Sequence, residues 1–231
     1  VVGVLVGSPK DRTAWQQVTE AASEALAVAL GSYRFKASRS SHRRGDFASG
    51  NFGIAHGGGR KEPGNIRVSS LHNVEVLHAL FSNPYIQYIL GFTSSSLNLI
   101  APDLYTYFFT VLSGICAQYP LLACFWAGSV FACCCFNFGP RVTAYIHTDN
   151  FNIPFGWCAI TALGRFNAKR GGHLVLWDWR LVVEFPPGST IFIPSALVRH
   201  SNIPVSGHEK RFSIVQWMPG PLCRWFDFGF R

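Results

Sequence analysis

His147 and Asp149 stand two residues apart in Tyr145-Ile146-His147-Thr148-Asp149-Asn150. Residues at i and i+2 of an extended segment share a face, so one imidazole and one carboxylate point at the same place. One nitrogen and one oxygen donor suit Fe(II). A second, distant histidine would complete the facial set of two histidines and a carboxylate that leaves positions open for a cosubstrate and O2. His200, in Val198-Arg199-His200-Ser201-Asn202, supplies it. Eleven residues further on, Arg211 and Ser213 form another same-face pair. A guanidinium fork beside a hydroxyl fits the far carboxylate of a keto-diacid such as 2-oxoglutarate. His-x-Asp alone is common by chance, and a lone histidine is usually a core or surface residue. The ordered set of His-x-Asp, a strand-filled gap, His and Arg-x-Ser carries the reading. Without it, these are polar residues on an ordinary metal-free β-sandwich.

Other histidines compete for the distal ligand. His208 is three residues from Arg211, too close to serve a separate point of a barrel, and His173 opens a hairpin strand. His42, His56, His72 and His78 lie outside the strand block and receive no ligand role. Asn137 is either a pocket residue or part of the turn before Gly139-Pro140.

The elements that must position these side chains fall into two blocks. After a short apolar strand at Val1 to Val6, Asp11 opens a helix that places Trp15, Val18, Ala22 and Leu26 on one face and stops at Gly31. Residues 32–65 are rich in Gly, Ser and Arg and read as loop. Val74 to Leu90 reads as helix interrupted at Pro84, and two more helices are expected over 103–118 and 121–132, packed on the back of a sheet with Cys133 to Cys135 buried in that interface. Strands follow at about 141–147, 157–163, 173–177, 181–185, 189–193, 197–203 and 210–218, separated by Gly171-Gly172, Pro186-Pro187-Gly188 and Ser206-Gly207. Helices before short strands make an α+β protein whose strands form a jelly roll, the cupin-like double-stranded β-helix, with the N-terminal helices outside it. One domain covers residues 1–231: a helical and loop region to 140, a jelly-roll core over 141–218 and a tail over 219–231. The start at Val1 and the finish after a Trp/Phe-rich run read as an excised or incomplete piece.

The formal charge of +8 is unevenly spread. Residues 33–70 hold Arg34, Lys36, Arg39, Arg43, Arg44, Arg60, Lys61 and Arg67 against Asp46 and Glu62, eight against two, a balance of +6. Such a segment beside a catalytic barrel suits a polyanion, with Arg43, Arg44 and Arg60 as backbone contacts, although a solvated loop has the same composition. Gly57-Gly58-Gly59-Arg60-Lys61 lacks the ending and the strand-to-helix context of a phosphate-binding loop. Between Val68 and Pro140 there is no Lys or Arg, yet Gln118-Tyr119-Pro120 divides the apolar run, so no membrane span is expected. Seven cysteines, odd in number and without a Cys-x-x-Cys pair, read as reduced thiols. With no secretory layout at the N-terminus, an intracellular, nuclear location is expected.

The chain resembles the fungal TET/JBP-like 2-oxoglutarate- and Fe(II)-dependent dioxygenases. The likeness is densest over 136–217: Phe136-Asn137-Phe138-Gly139-Pro140, His147-Thr148-Asp149-Asn150-Phe151-Asn152, Phe155-Gly156-Trp157, Gly171-Gly172-His173, Arg199-His200-Ser201-Asn202 and Arg211-Phe212-Ser213. The resemblance implies that His147, Asp149 and His200 hold Fe(II), that Arg211 and Ser213 hold 2-oxoglutarate, and that O2 is the oxidant. It further implies that Asn152 contacts and Trp217 stacks on a methylated base, most often 5-methylcytosine in double-stranded DNA. That base must flip out of the duplex to be reached. Pro219 departs from the pattern, standing where the animal enzymes have a second base-contacting histidine. Two rivals remain: an N-methyl base demethylase or protein hydroxylase of the same fold, and a non-catalytic, transposon-associated nucleic-acid-binding relic.

Overall fold

The computed structural model describes residues 2–35, 41–122, 124 and 129–231. Lys36 and Arg39 of the basic segment, and part of the helix expected at 121–132, lie outside the described residues.

Among the described residues ten strands make two antiparallel sheets: β1 Val4–Val6, β2 Ala48–Ala55, β3 Gly64–Asn65, β4 Cys133–Phe138, β5 Cys158–Arg165, β6 Leu174–Leu176, β7 Leu181–Val183, β8 Thr190–Ile193, β9 His200–Asn202 and β10 Lys210–Trp217. The larger sheet runs β1-β8-β5-β10-β4-β2-β3 and the smaller β7-β6-β9. A cluster including Ile160, Ala162, Leu174, Leu176, Ile191 and Val198 fills the space between them, which makes the double-stranded β-helix. Five α-helices among the described residues complete the α+β fold: α1 Arg12–Ser32, α2 Leu71–Ser82, α3 Pro84–Ile100, α4 Pro102–Gln118 and α5 Gly220–Asp227. No helix among the described residues is long and apolar enough to cross a membrane.

Local chemistry accounts for the helices. Asp11 caps α1 by accepting from Ala14 N–H, and buried Trp15, Thr19, Ala22, Leu26 and Ala29 recur at steps of four and three. Ser70 caps α2, while Asn83 caps α3 with Pro84 at its first turn. These helices cover the outer face of the large sheet. The central strands alternate: Phe212 and Ile214 of β10, Cys134, Phe136 and Phe138 of β4, and Ala48 and Phe52 of β2 all join the core under α1, α2 and α3. Full burial of a phenylalanine such as Phe136 or Phe138 contributes about 1.5–3 kcal/mol each. The odd-numbered neighbours therefore face the other way, into the barrel.

The structure corrects several expectations. Sheet strands are not confined to 141–218: β2 lies in the presumed loop, β4 precedes Pro140, and β1 edges the large sheet. The described residues of 121–132 form no helix, and Cys133, Cys134 and Cys135 sit within β4. They are buried free thiols, as are Cys158 and Cys223, but Cys116 and Cys124 form a disulfide, so the reading of all seven as reduced fails for that pair. Residues 141–147 run as bridges to Arg211 and His200 rather than as a strand. Gly31 lies inside α1, and the tail contains α5.

Candidate active site

His147 and His200 face each other across an antiparallel bridge formed by their own backbones, with His147 N–H donating to His200 O at 3.1 Å and His200 N–H to His147 O at 2.9 Å. Asp149, two residues on, is fixed by its N–H donating to Ser195 O. The geometry that follows is convergent. His147 Nε2 lies 3.8 Å from Asp149 Oδ1, and His200 Nε2 lies 3.9 Å from Asp149 Oδ2. One ligand atom from each of the three lies within 4.8 Å of the others.

The donor set fits a divalent metal for a reason visible in its hydrogen bonds. His147 Nδ1 lies 2.7 Å from Tyr145 O and His200 Nδ1 lies 2.9 Å from Val198 O. A carbonyl can only accept, so each Nδ1 carries the proton and each Nε2 turns a lone pair toward Asp149. Burial and the neighbouring His200 push the His147 pKa down to about 4, keeping this imidazole in the neutral, ligating form.

A cavity of about 320 Å³ opens beside the triad. Arg211 and Ser213 of β10 line it, as the period of two requires. Arg211 is buried and donates from Nη1 to Val142 O at 3.2 Å, while its Nε has no hydrogen-bond partner among the described residues. No carboxylate pairs with it among the described residues, and burial pushes its pKa down to about 10. A buried guanidinium with no counter-ion among the described residues has the chemistry to take an anion. Asn137 of β4 stands opposite Ser213 and donates to its Oγ at 2.9 Å, which settles Asn137 as a cavity residue on a strand.

Arg43 and Arg44 also reach this cavity. Gly45, at a φ of 151°, closes the turn they stand on, and a Cβ there would collide with the Thr143 carbonyl. Arg60 does not follow them. Its guanidinium donates to Asn65 O at 3.1 Å, holding the end of the β2–β3 hairpin, and it is absent from the cavity lining. Asn152 and Trp217 are absent from it as well. Asn152 donates to Ser195 Oγ at 2.8 Å, and Trp217, opposite Cys133, packs against the cluster between the sheets. Neither His173 nor His208 lines the cavity.

Sequence reasoning missed His42, Ser49 and Asn51, all of which line the cavity. Gly50 and Gly53 hide the strand alternation of Ala48–Ala55, because glycine lowers strand propensity and carries no side chain to mark a face. His42 received no role, yet it sits at the mouth with its ring 4.7 Å from Phe47.

With this geometry in place, solved structures can be compared. The chain shares its fold with NgTET1. That structure, NgTET1 in complex with 5mC DNA, matches 96% of this chain and 73% of its own at a TM-score of 0.65 and 16% identity. OsALKBH1 matches 94% of this chain and 96% of its own at a TM-score of 0.47 and 11% identity. A Pseudomonas putida prolyl-4-hydroxylase matches 94% and 92% at a TM-score of 0.46 and 15% identity. No family model and no curated protein matches the chain.

Proposed function

We propose that this protein is a 2-oxoglutarate- and Fe(II)-dependent dioxygenase of the TET/JBP type that hydroxylates the methyl group of a modified base in nucleic acid, with 5-methylcytosine in DNA as the preferred substrate. One observation carries the reading: a buried guanidinium without a counter-ion, Arg211, lines the same cavity as two histidines whose Nε2 atoms converge on one carboxylate. His147, Asp149 and His200 would hold Fe(II). Bound there with 2-oxoglutarate and O2, the metal would supply the oxidant for a C–H bond, releasing succinate and CO2.

The chain's own residues do the rest. Arg211 and Ser213 hold the distal carboxylate of the cosubstrate, with Asn137 fixing the Ser213 hydroxyl. The Tyr145 and Val198 carbonyls keep both imidazoles turned the right way. Burial of Arg211 and Ser213 keeps the cosubstrate end away from bulk solvent, and the exposed Arg43 on the cavity lining offers a cation to a phosphate. A base inside a duplex cannot enter such a cavity, so the reading includes a flipped nucleotide. A nuclear location belongs to the same proposal.

Mass spectrometry of nucleosides tests it. Purified protein is incubated with Fe(II), 2-oxoglutarate and DNA carrying 5-methylcytosine, N-methylated bases or none. Hydroxymethylcytosine with matching succinate supports the proposal. Loss of N-methyl groups would move it to a demethylase, and succinate without base oxidation would remove nucleic acid as substrate.

A further inference from the structure

Among the described residues, five buried side-chain polar atoms have no hydrogen-bond partner: His42 Nε2, Asn51 Oδ1, His56 Nδ1, His173 Nδ1 and Arg211 Nε. Three of the five belong to residues lining the one cavity beside the triad. An unsatisfied buried polar group costs about 1–3 kcal/mol, so a cluster of them facing one space marks where a polar ligand belongs. Arg211 is accounted for by the cosubstrate. His42 and Asn51 are not.

The sheet register separates them from the cosubstrate. Ser49, Asn137 and Ser213 form one row across β2, β4 and β10, and Asn51, Cys135 and Val215 form the next. Neighbouring strands lie about 4.8 Å apart, so β2, two strands from β10, stands roughly 10 Å from the Arg211 strand. A five-carbon diacid anchored at Arg211 and directed at the triad cannot also satisfy a group on β2. Cys135, next to Asn51 on the ladder, lines the same cavity as Asp149 and Arg44, which puts the Asn51 row on the triad's side of it.

The two groups are chemically complementary. Arg44 N–H donates to His42 Nδ1 at 3.3 Å, so in the neutral ring the proton is on Nε2, which has no partner at hydrogen-bond distance among the described residues. Asn51 lines the cavity, and its buried Oδ1 has no hydrogen-bond partner among the described residues, leaving an amide acceptor unsatisfied. Such a pair matches a planar edge that carries an acceptor beside an N–H donor.

We propose that His42 and Asn51 are the residues that read the substrate: they hydrogen-bond the polar edge of a nitrogen heterocycle of the cytosine class, a ring-nitrogen or carbonyl acceptor beside an exocyclic amine. This rests on the dioxygenase reading, and it moves base recognition from Asn152 and Trp217 to the segment before β2 and to β2 itself. Asn51 takes the amine through its carbonyl oxygen, and His42 donates to the acceptor.

The test uses the full chain with Fe(II) and 2-oxoglutarate under anaerobic conditions. Cosubstrate affinity is read from the metal-to-ligand charge-transfer absorption. Affinity is then measured for a single-stranded oligonucleotide carrying one 5-methylcytosine, and for the same oligonucleotide with thymine in its place. Asn51→Leu and His42→Phe should leave the 2-oxoglutarate Kd within about twofold, which also shows that each variant folds, and should weaken the 5-methylcytosine oligonucleotide about tenfold. The preference over thymine should shrink in both, and Asn51→Gln should recover part of it. An unchanged oligonucleotide Kd in both variants overturns the assignment, as does a weakened 2-oxoglutarate Kd with oligonucleotide binding intact. If the wild-type protein binds 2-oxoglutarate but neither oligonucleotide, the assignment falls and the dioxygenase reading stands. If it binds no 2-oxoglutarate, both fall.

Discussion

Arg44 Nη1 lies 3.3 Å from Asp149 Oδ1, although 105 residues separate the two in the chain. The contact joins the basic segment to the candidate metal centre and divides the roles of two adjacent arginines. Arg44 is already engaged by a carboxylate, with its side chain 35% exposed. Arg43 is exposed and, among the described residues, its guanidinium bonds only the Thr148 carbonyl, from both Nη1 and Nη2 at 3.3 Å. A phosphate would therefore find Arg43 first. Arg43→Ala should weaken duplex binding for all sequences alike and reduce the slope of log K against log salt by about 0.9, whereas Arg44→Ala should change it less. Equal losses of slope in titrations over a salt series would mean that Arg44 leaves Asp149 when DNA binds.

Removing the Arg211 charge should have opposite effects on ligand binding and on stability. Arg211 is buried without a counter-ion, and burial depresses its pKa to about 10, so below that pH its charge is a liability to the fold. Arg211→Met should raise the melting temperature of the ligand-free protein. It should also weaken 2-oxoglutarate binding by about thirtyfold or more, the scale of about 2–5 kcal/mol for a lost buried charge pair. Calorimetry with and without 2-oxoglutarate measures both. A variant less stable than wild type would give Arg211 a structural role instead.

Acid should destabilise the metal-free protein through His147. Its folded-state pKa is lowered to about 4 from an ordinary 6.5, chiefly by burial and then by His200. Between those values the unfolded chain binds a proton that the folded chain does not, so stability falls as pH drops from about 6.5 toward 4. Urea unfolding of metal-free protein across that range should show the slope, and His147→Gln should reduce it. An identical slope in the variant would place the acid sensitivity elsewhere.

That His147 and Asp149, and Arg211 and Ser213, line one cavity was legible because each is a same-face pair two residues apart, a spacing that extended backbone preserves wherever it packs. Helix α1 was legible because Asp11 and the Trp15, Ala22, Leu26 spacing mark its start and buried face. The β2 side of the cavity was not. Ser49 and Asn51 become cavity residues only through register with Asn137 and Cys135, more than eighty positions away, and local pattern does not encode register between distant strands. The Asn152 and Trp217 assignments carried positions over from a family resemblance. Here the Asn152 side chain turns to Ser195, and Trp217 packs between the sheets.

That turn of Asn152 gives the last prediction. Asn152 Nδ2 donates to Ser195 Oγ at 2.8 Å, while Asp149 N–H donates to Ser195 O at 2.8 Å and Asn152 N–H to Asp149 O at 2.9 Å. Ser195 thus ties both ends of the loop that carries the carboxylate ligand, and Asn152 acts on Asp149 through it. Asn152→Ala should lower stability by about 1 kcal/mol, the ordinary worth of one such bond, and weaken divalent-metal binding. Ser195→Ala removes the same side-chain contact from the other side and should reproduce both effects. A double variant should add little to either single one. Isothermal titration with Mn(II) and urea unfolding of the three proteins measure this. If Asn152→Ala alone impairs turnover on methylated DNA while Ser195→Ala is silent, Asn152 contacts the base and the loop-tether account is wrong.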